Sequence, residues 1–309
     1  MSLFAGTLDP AGPAARSIDD LWVLMLVLGT AVFLLVVVLL AVGVHRHGDD
    51  DETAEPVEGR GTWLVGGGVL LPALGVLVVL VATLAVMRGT ADADDAALRV
   101  EVTGNQFWWE FRYPDRDVVT AGELHIPAGE PVALELTSSD VIHSFWVPAL
   151  AGKLDAIPED VNVLVIEADE PGRYRGKCAE FCGLQHASMD LTVVAHEPAD
   201  FADWLDAQAQ PAATVTGAEA QRGAELFRAE GCGECHTVRG TAADGRKGPD
   251  LTHVASRDVL AGGRLQGTAD DLGAWIHDPD DFKEGVDMPA SELSDQDVQA
   301  IVSYLQELE

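Results

Sequence analysis

Two thiols, an imidazole and a thioether fall within twelve residues, Cys178-Ala-Glu-Phe-Cys182-Gly-Leu-Gln-His186-Ala-Ser-Met189. All are soft or borderline ligands, a set that selects copper over calcium, magnesium or manganese. A zinc finger would normally bring a second Cys/His pair and no methionine. A further imidazole stands upstream, His143 in Val-Ile-His143-Ser-Phe-Trp. Two Cys, two His and one Met are more than one copper ion needs, and they suit two coppers bridged by two thiolates. A disulfide between Cys178 and Cys182 would leave His186 and Met189 unexplained.

A second constellation lies near the C-terminal end. Cys232-Gly-Glu-Cys235-His236 is C-x-x-C-H, the pattern for covalent haem c attachment, in which two thiols add to the haem vinyl groups. The adjacent imidazole then becomes an axial iron ligand. A helical pattern precedes it (Ala218 to Glu230). Lys247-Gly-Pro249-Asp-Leu, Met288-Pro289 and an amphipathic segment from Ser294 to Leu308 follow. The rare residues argue the same way. All four Cys fall in the two motifs, and of five Met only Met189 and Met288 lie outside the initiator and the apolar runs. Methionine is usually core filler, but the soluble part of this chain hardly uses it so.

His143 followed by C-x-E-x-C-G-x-x-H-x-x-M resembles subunit II of the haem–copper cytochrome c oxidases, and the resemblance covers about residues 15–196. It implies a binuclear CuA centre bridged by Cys178 and Cys182. His143 and His186 would cap one copper each, and Met189 and the main-chain carbonyl of Glu180 would be weak outer ligands. It also implies that the Glu180 carboxylate helps hold a magnesium at the interface with subunit I. Residues 217–309 resemble a class I cytochrome c, with His236 and Met288 as axial ligands and the Pro249 carbonyl bonded to the His236 ring. Subunits II with a fused cytochrome c occur in caa-type oxidases. The family carries a Gln-Trp-Tyr-Trp-like segment that accepts electrons from soluble cytochrome c. Here the segment is Gln106-Phe107-Trp108-Trp109, with Phe107 at the accepting position. A transfer role then falls to Trp108 or Trp109, and the plainer reading is strand core. The departure suits a tethered haem donor better than an external carrier docking there.

Two uncharged runs, Leu21 to Val44 and Thr62 to Met87, each exceed the roughly 20 residues a helix needs to cross a bilayer. The first could be read as an uncleaved signal peptide, but Arg16 is followed by Asp19-Asp20 and the run is too long for a typical signal-peptide core. Together they predict a membrane hairpin. The loop from His45 to Gly61 holds Arg46 and Arg60 but six acids, so its charge orients the hairpin only weakly. Haem c is attached outside the cytoplasmic membrane, which puts both termini and both metal domains on that face. The net charge is −32, from 51 acids against 19 bases, which excludes nucleic-acid binding. The acids are spread along the chain, as on a halophile surface. A docking face for a basic donor is the competing reading.

The expected organisation is a tail and two-helix membrane hairpin (1–97, spans 21–44 and 62–87), an all-β, cupredoxin-like Greek-key sandwich (98–197), a linker (198–216) and an all-α cytochrome c domain (217–309). Alternating runs such as Leu98-Arg-Val-Glu-Val and the β-branched Val161-Asn-Val-Leu-Val-Ile read as antiparallel strands. The ligands then lie on two loops at one end of the sandwich. His45, His47, His125, His196, His253 and His277 lack motif partners and default to surface or structural roles. The functional expectation is the electron-input subunit of a terminal oxidase. Its partners would be subunit I, subunit III, membrane lipid and an external donor (a cytochrome c, a copper protein or a quinol-oxidising complex). Its rivals are the CuA subunit of a nitric oxide reductase and a stand-alone membrane electron carrier.

Overall fold

The apolar runs form helices longer than the runs themselves. In the computed structural model, which describes residues 8–47, 60–88 and 93–309, α1 spans Pro13–His47. The second run is α2 (Arg60–Val65), a π-helical turn at Gly66–Leu70, and α3 (Leu71–Arg88). Pro72 has no N–H and its ring crowds the carbonyl four residues back, at Gly68. The wider π turn absorbs that conflict without breaking the helix. Among the described residues, the most apolar stretches of both helices are unburied, as expected of helices that face lipid. Arg16, Asp19 and Asp20, expected in an outer tail, already lie in α1. Residues 48–59 of the inter-span loop and 89–92 of the acidic connector, Asp92 included, lie outside the described residues. Residues 16–90 form one compact unit and the remainder another.

The second unit begins with ten strands. These are β1 (Leu98–Asn105), β2 (Trp108–Tyr113), β3 (Val118–Ala121), β4 (Glu123–Pro127), β5 (Val132–Ser138), β6 (His143–Trp146), β7 (Leu154–Ala156), β8 (Asn162–Ile166), β9 (Gly172–Cys178) and β10 (Asp190–His196). They make two five-stranded sheets, ordered β3-β2-β1-β5-β8 and β4-β10-β9-β6-β7. Alternation sets the inner faces: Val100 and Val102 of β1, Trp109, Phe111 and Tyr113 of β2, and Leu134 and Leu136 of β5 are buried, while Arg99 and Glu101 point out. The expectation of a purely antiparallel sandwich needs correction. β1 pairs with β5, and β4 with β10, in parallel. Greek-key crossovers bring strands distant in sequence side by side in the same direction, and alternation within a strand carries no signal of that.

α4 (Pro198–Gln208) closes the open end of the core with Phe201 and Leu205. The chain then runs along the haem-motif module, where Ala212 N–H donates to the Arg239 carbonyl at 2.9 Å. That module packs α5 (Ala218–Ala229) against α7 (Asp295–Gln306), with α6 (Ala269–His277) alongside. Gly223 lets the backbones of α5 and α7 touch, since a Cβ there would run into the Ala300 carbonyl. Phe227 and Tyr304 meet edge-on at 5.5 Å. Ser294 caps α7, its side chain accepting from the Asp297 N–H, one of the donors left free in a first helical turn. One addition to the all-α expectation is a two-residue ribbon, β11 (Val259–Leu260) with β12 (Leu265–Gln266).

Candidate functional site

The copper-type ligands converge at one end of the sandwich. His143 opens β6, Cys178 closes β9, and Cys182, His186 and Met189 follow in the connection to β10. Only four of the five thus lie at or beyond a strand end on one connection; His143 is a strand residue, held by pairing to β7. The Cys178 and Cys182 sulfurs are 3.9 Å apart, well beyond the roughly 2.05 Å of a disulfide. His143 Nδ1 lies 3.9 Å from the Cys178 sulfur and His186 Nδ1 3.7 Å from that of Cys182. Met189 Sδ is 3.8 Å from the Cys182 sulfur, and the Glu180 carbonyl is 3.2 Å from that of Cys178. Each imidazole thus attends a different thiol. The Glu180 main chain faces the cluster while its side chain is exposed.

The chemistry of this donor set fits a bridging cation. The hydrogen bond from Cys182 pulls the Cys178 thiol far below its usual range, and the same contact pushes Cys182 up. The pair takes one negative charge easily and resists the second. A metal cation held by the two sulfurs would let both ionise. Burial opposes a charge on His143, but Cys178 and Asp140 together hold its pKa above the usual value. Its Nε2 lies 2.8 Å from the Asp140 carboxylate, which leaves Nδ1 turned to the thiol. That carboxylate also accepts from the backbone of Gln106 at 2.7 Å. A carboxylate behind a ligand imidazole orients the ring and raises its basicity.

Alternation along β2 separates the two tryptophans. Trp109 is fully buried and meets His143 edge-on at 5.8 Å and Phe145 at 5.6 Å. Trp108 points to the other face and is half-buried. Phe107 is only 6% exposed, its ring beside Gly183. The Gln106 amide donates to the Cys182 carbonyl, bracing the thiol-bearing loop.

In the other module, Cys232–Glu234 forms a single 3₁₀ turn and the His236 N–H returns to the Cys232 carbonyl at 3.0 Å. This brings both thiols and the imidazole to one turn. Both thiols are free. His236 Nδ1 donates to the Pro249 carbonyl at 2.7 Å. Burial lowers the His236 pKa despite that bond, so the ring is neutral near pH 7 and its Nε2 lone pair is available. Gly248 lies so close that a Cβ would come within 2.5 Å of the ring. These features fit a haem ligand. Met288 is half-buried on the loop before α7.

Sequence reasoning missed a third cluster. His125 Nδ1 and His196 Nε2 are 2.8 Å apart, and Trp204 of α4 stacks on His125 at 4.0 Å. Glu123, buried at 2% exposure, lies 3.8 Å from His125 and 2.6 Å from Arg173. β4 and β10 are adjacent only in the folded sheet, so no spacing signals this pairing.

A model of the family described as the cytochrome C oxidase subunit II periplasmic domain matches residues 116–196, and one described as cytochrome c matches residues 220–309. The cytochrome c oxidase subunit 2 of Alkalihalophilus pseudofirmus is 37% identical, over 97% of this chain and 90% of its own. That of Bacillus subtilis is 34% identical, over 99% and 92%. The crystal structure of the periplasmic domain of subunit II of the cytochrome oxidase of Bradyrhizobium japonicum aligns with 38% of this chain and 96% of its own, at 29% identity and a TM-score of 0.37.

Proposed function

The chain belongs to the cytochrome c oxidase subunit II family, in the form with a cytochrome c module fused at the C-terminal end, and we propose that Cys178, Cys182, His143, His186, Met189 and the Glu180 carbonyl hold its CuA copper. Cys232 and Cys235 would attach the haem, and His236 and Met288 would hold its iron. The protein is the electron-input subunit of a membrane-bound terminal oxidase, whose subunit I reduces oxygen. Near-full-length similarity to oxidase subunits favours this reading over a nitric oxide reductase subunit or a free-standing carrier.

The observation that carries the site assignment is the convergence of five soft donors on one point, one imidazole per thiol. Copper and haem, when bound, supply one-electron redox chemistry. The residues of this chain orient and enclose them. Asp140 fixes the His143 tautomer, Gln106 holds the Cys182 carbonyl, and Pro249 with Gly248 sets the His236 ring. Trp109, packed on His143, is the better of the two tryptophans for a transfer role.

The finer features extend the proposal. Both spans cross the membrane, with both termini and the metal domains on its outer face. The Glu180 carboxylate, exposed beside the copper loop, shares a magnesium with subunit I. Subunit III and lipid complete the surroundings, and the oxidase couples its reaction to proton translocation. The division into hairpin, copper domain, linker and haem module falls at residues 97, 197 and 216, with the helical first part of the linker, α4, packed on the copper domain. The surplus of acids reflects a salt-adapted surface rather than one donor-docking patch. Metal and haem analysis of the purified complex tests the core of this. Two coppers per copy of this chain, and haem that stays on the polypeptide after denaturation, are expected. One copper, zinc, or extractable haem would overturn it.

A further inference from the structure

Lys283 is 2% exposed, although lysine is rarely so buried without a partner. It belongs to the haem module, just after a 3₁₀ turn at Pro279–Asp281 and five residues before Met288. Its ammonium donates at 2.7 Å to the main-chain carbonyl of Phe107, a residue of the copper domain 176 positions away. We infer that Lys283 is a positioning residue that seats the haem module on the copper loop and holds the two in one docked arrangement for intramolecular electron transfer. The inference rests on the proposed order of transfer, haem module to copper domain.

Four observations support it. Gly262 (φ 64°) passes over the lysine head, and a Cβ there would lie 2.9 Å from the ammonium and 2.7 Å from the Ser188 carbonyl. The haem module therefore approaches the copper loop more closely than any side chain allows. The Gln185 amide donates to the Glu284 carbonyl at 3.1 Å, and Val286 packs on the sandwich core. The rim carries Arg173 with Asp258 at 2.9 Å and Arg239 with the Asp117 carbonyl at 3.3 Å. Finally, Phe107 adjoins Gln106, whose amide holds the Cys182 carbonyl. A short hydrogen-bonded and covalent route thus runs from Lys283 to a thiol-bearing residue. The same contact covers Phe107, the position where the family's surface tryptophan would receive an external donor.

The test uses the full chain in its assembled oxidase. Haem c is reduced by a flash-activated reductant, and its reoxidation by copper is followed in wild type, Lys283→Met and Gly262→Ala. Methionine keeps length and apolar bulk but leaves the Phe107 carbonyl unpaired. Loss of a charge-assisted hydrogen bond should weaken docking, and with it the transfer rate, by about tenfold or more. Gly262→Ala, which wedges the same seam without removing the lysine, should slow transfer in the same way. Deuterium exchange should rise in residues 182–188 and 282–286 of both variants, and the potentials of both centres should stay at wild-type values. Unchanged transfer and exchange in Lys283→Met would overturn the inference. So would a shifted haem potential or lost haem, because the lysine would then serve the haem module's own fold. A wild type that shows no haem-to-copper transfer would refute the proposed order instead, and the exchange data would still decide the docking.

Discussion

Cys178 and Cys182 are 3.9 Å apart with a different imidazole beside each, so neither can be replaced by the other. Cys178→Ser or Cys182→Ser should abolish binuclear copper, because a hydroxyl is a poor soft bridging ligand. Haem should remain, and copper and haem content of the mutant complexes checks both. Retention of two coppers would refute the assignment. Asp140→Asn tests the carboxylate behind His143. The amide can still accept a hydrogen bond but no longer favours positive charge on the ring. Outer partners of this kind typically account for about 10–100-fold in metal affinity, so copper should be lost to a competing chelator that much more readily. Met288→Ala should leave haem attached and lower its potential, since a thioether favours ferrous iron; a redox titration with visible spectra reads this directly.

Among the elements, the seam between β4, β10 and α4 carries a pH dependence of its own. Burial lowers the pKa of both His125 and His196. Their folded values lie below the unfolded 6.5, so the unfolded chain takes up protons first as pH falls. Stability from these groups is complete above about pH 6.5 and declines below it. Glu123 is opposed by burial, but the bonds from His125 and Arg173 win and hold its pKa below the usual 4.5. Its contribution is lost only at lower pH, as the folded carboxylate protonates. Thermal unfolding of the complex between pH 7.5 and 4 should show a falling midpoint for the copper domain from about pH 6.5. His196→Phe should flatten the upper part of that decline; an unaltered pH profile would remove this seam as its source. Phe201→Ala, which empties the end of the core that α4 closes, should cost about 3 kcal/mol or more.

For the whole molecule, the question is how electrons arrive. A tethered donor is held at about millimolar effective concentration, whereas an external carrier must diffuse and dock. Deleting residues 217–309 should therefore cost far more oxygen uptake, with a soluble cytochrome as donor, than substituting Trp108. Full activity of the truncated complex would show that electrons enter directly at the copper domain. The segment from α4 onward strengthens the expectation. Residues 198–208 are helix packed on the sandwich, and Ala212 and Val215 lie against the haem-module core. The connection is thus seated at both ends along its length.

The clustering of soft donor residues, the long apolar helices and the three-part architecture were legible in the sequence. Each depends on residue type and local spacing: C-x-x-C-H on one turn, soft donors on one loop, apolar runs of membrane length. The partition of roles between Trp108 and Trp109 was half-legible, because alternation says that they face opposite ways but not which way is inward. Tertiary structure alone decided the rest. It alone brought Asp140 behind His143 as part of the site, paired His125 with His196, ran β1 parallel to β5, and placed Lys283 under the Phe107 carbonyl. Contacts between residues 71 or 176 positions apart leave no periodicity in the chain. They arise when crossovers and module packing bring distant backbone together, and a buried lysine reads in sequence like any exposed one.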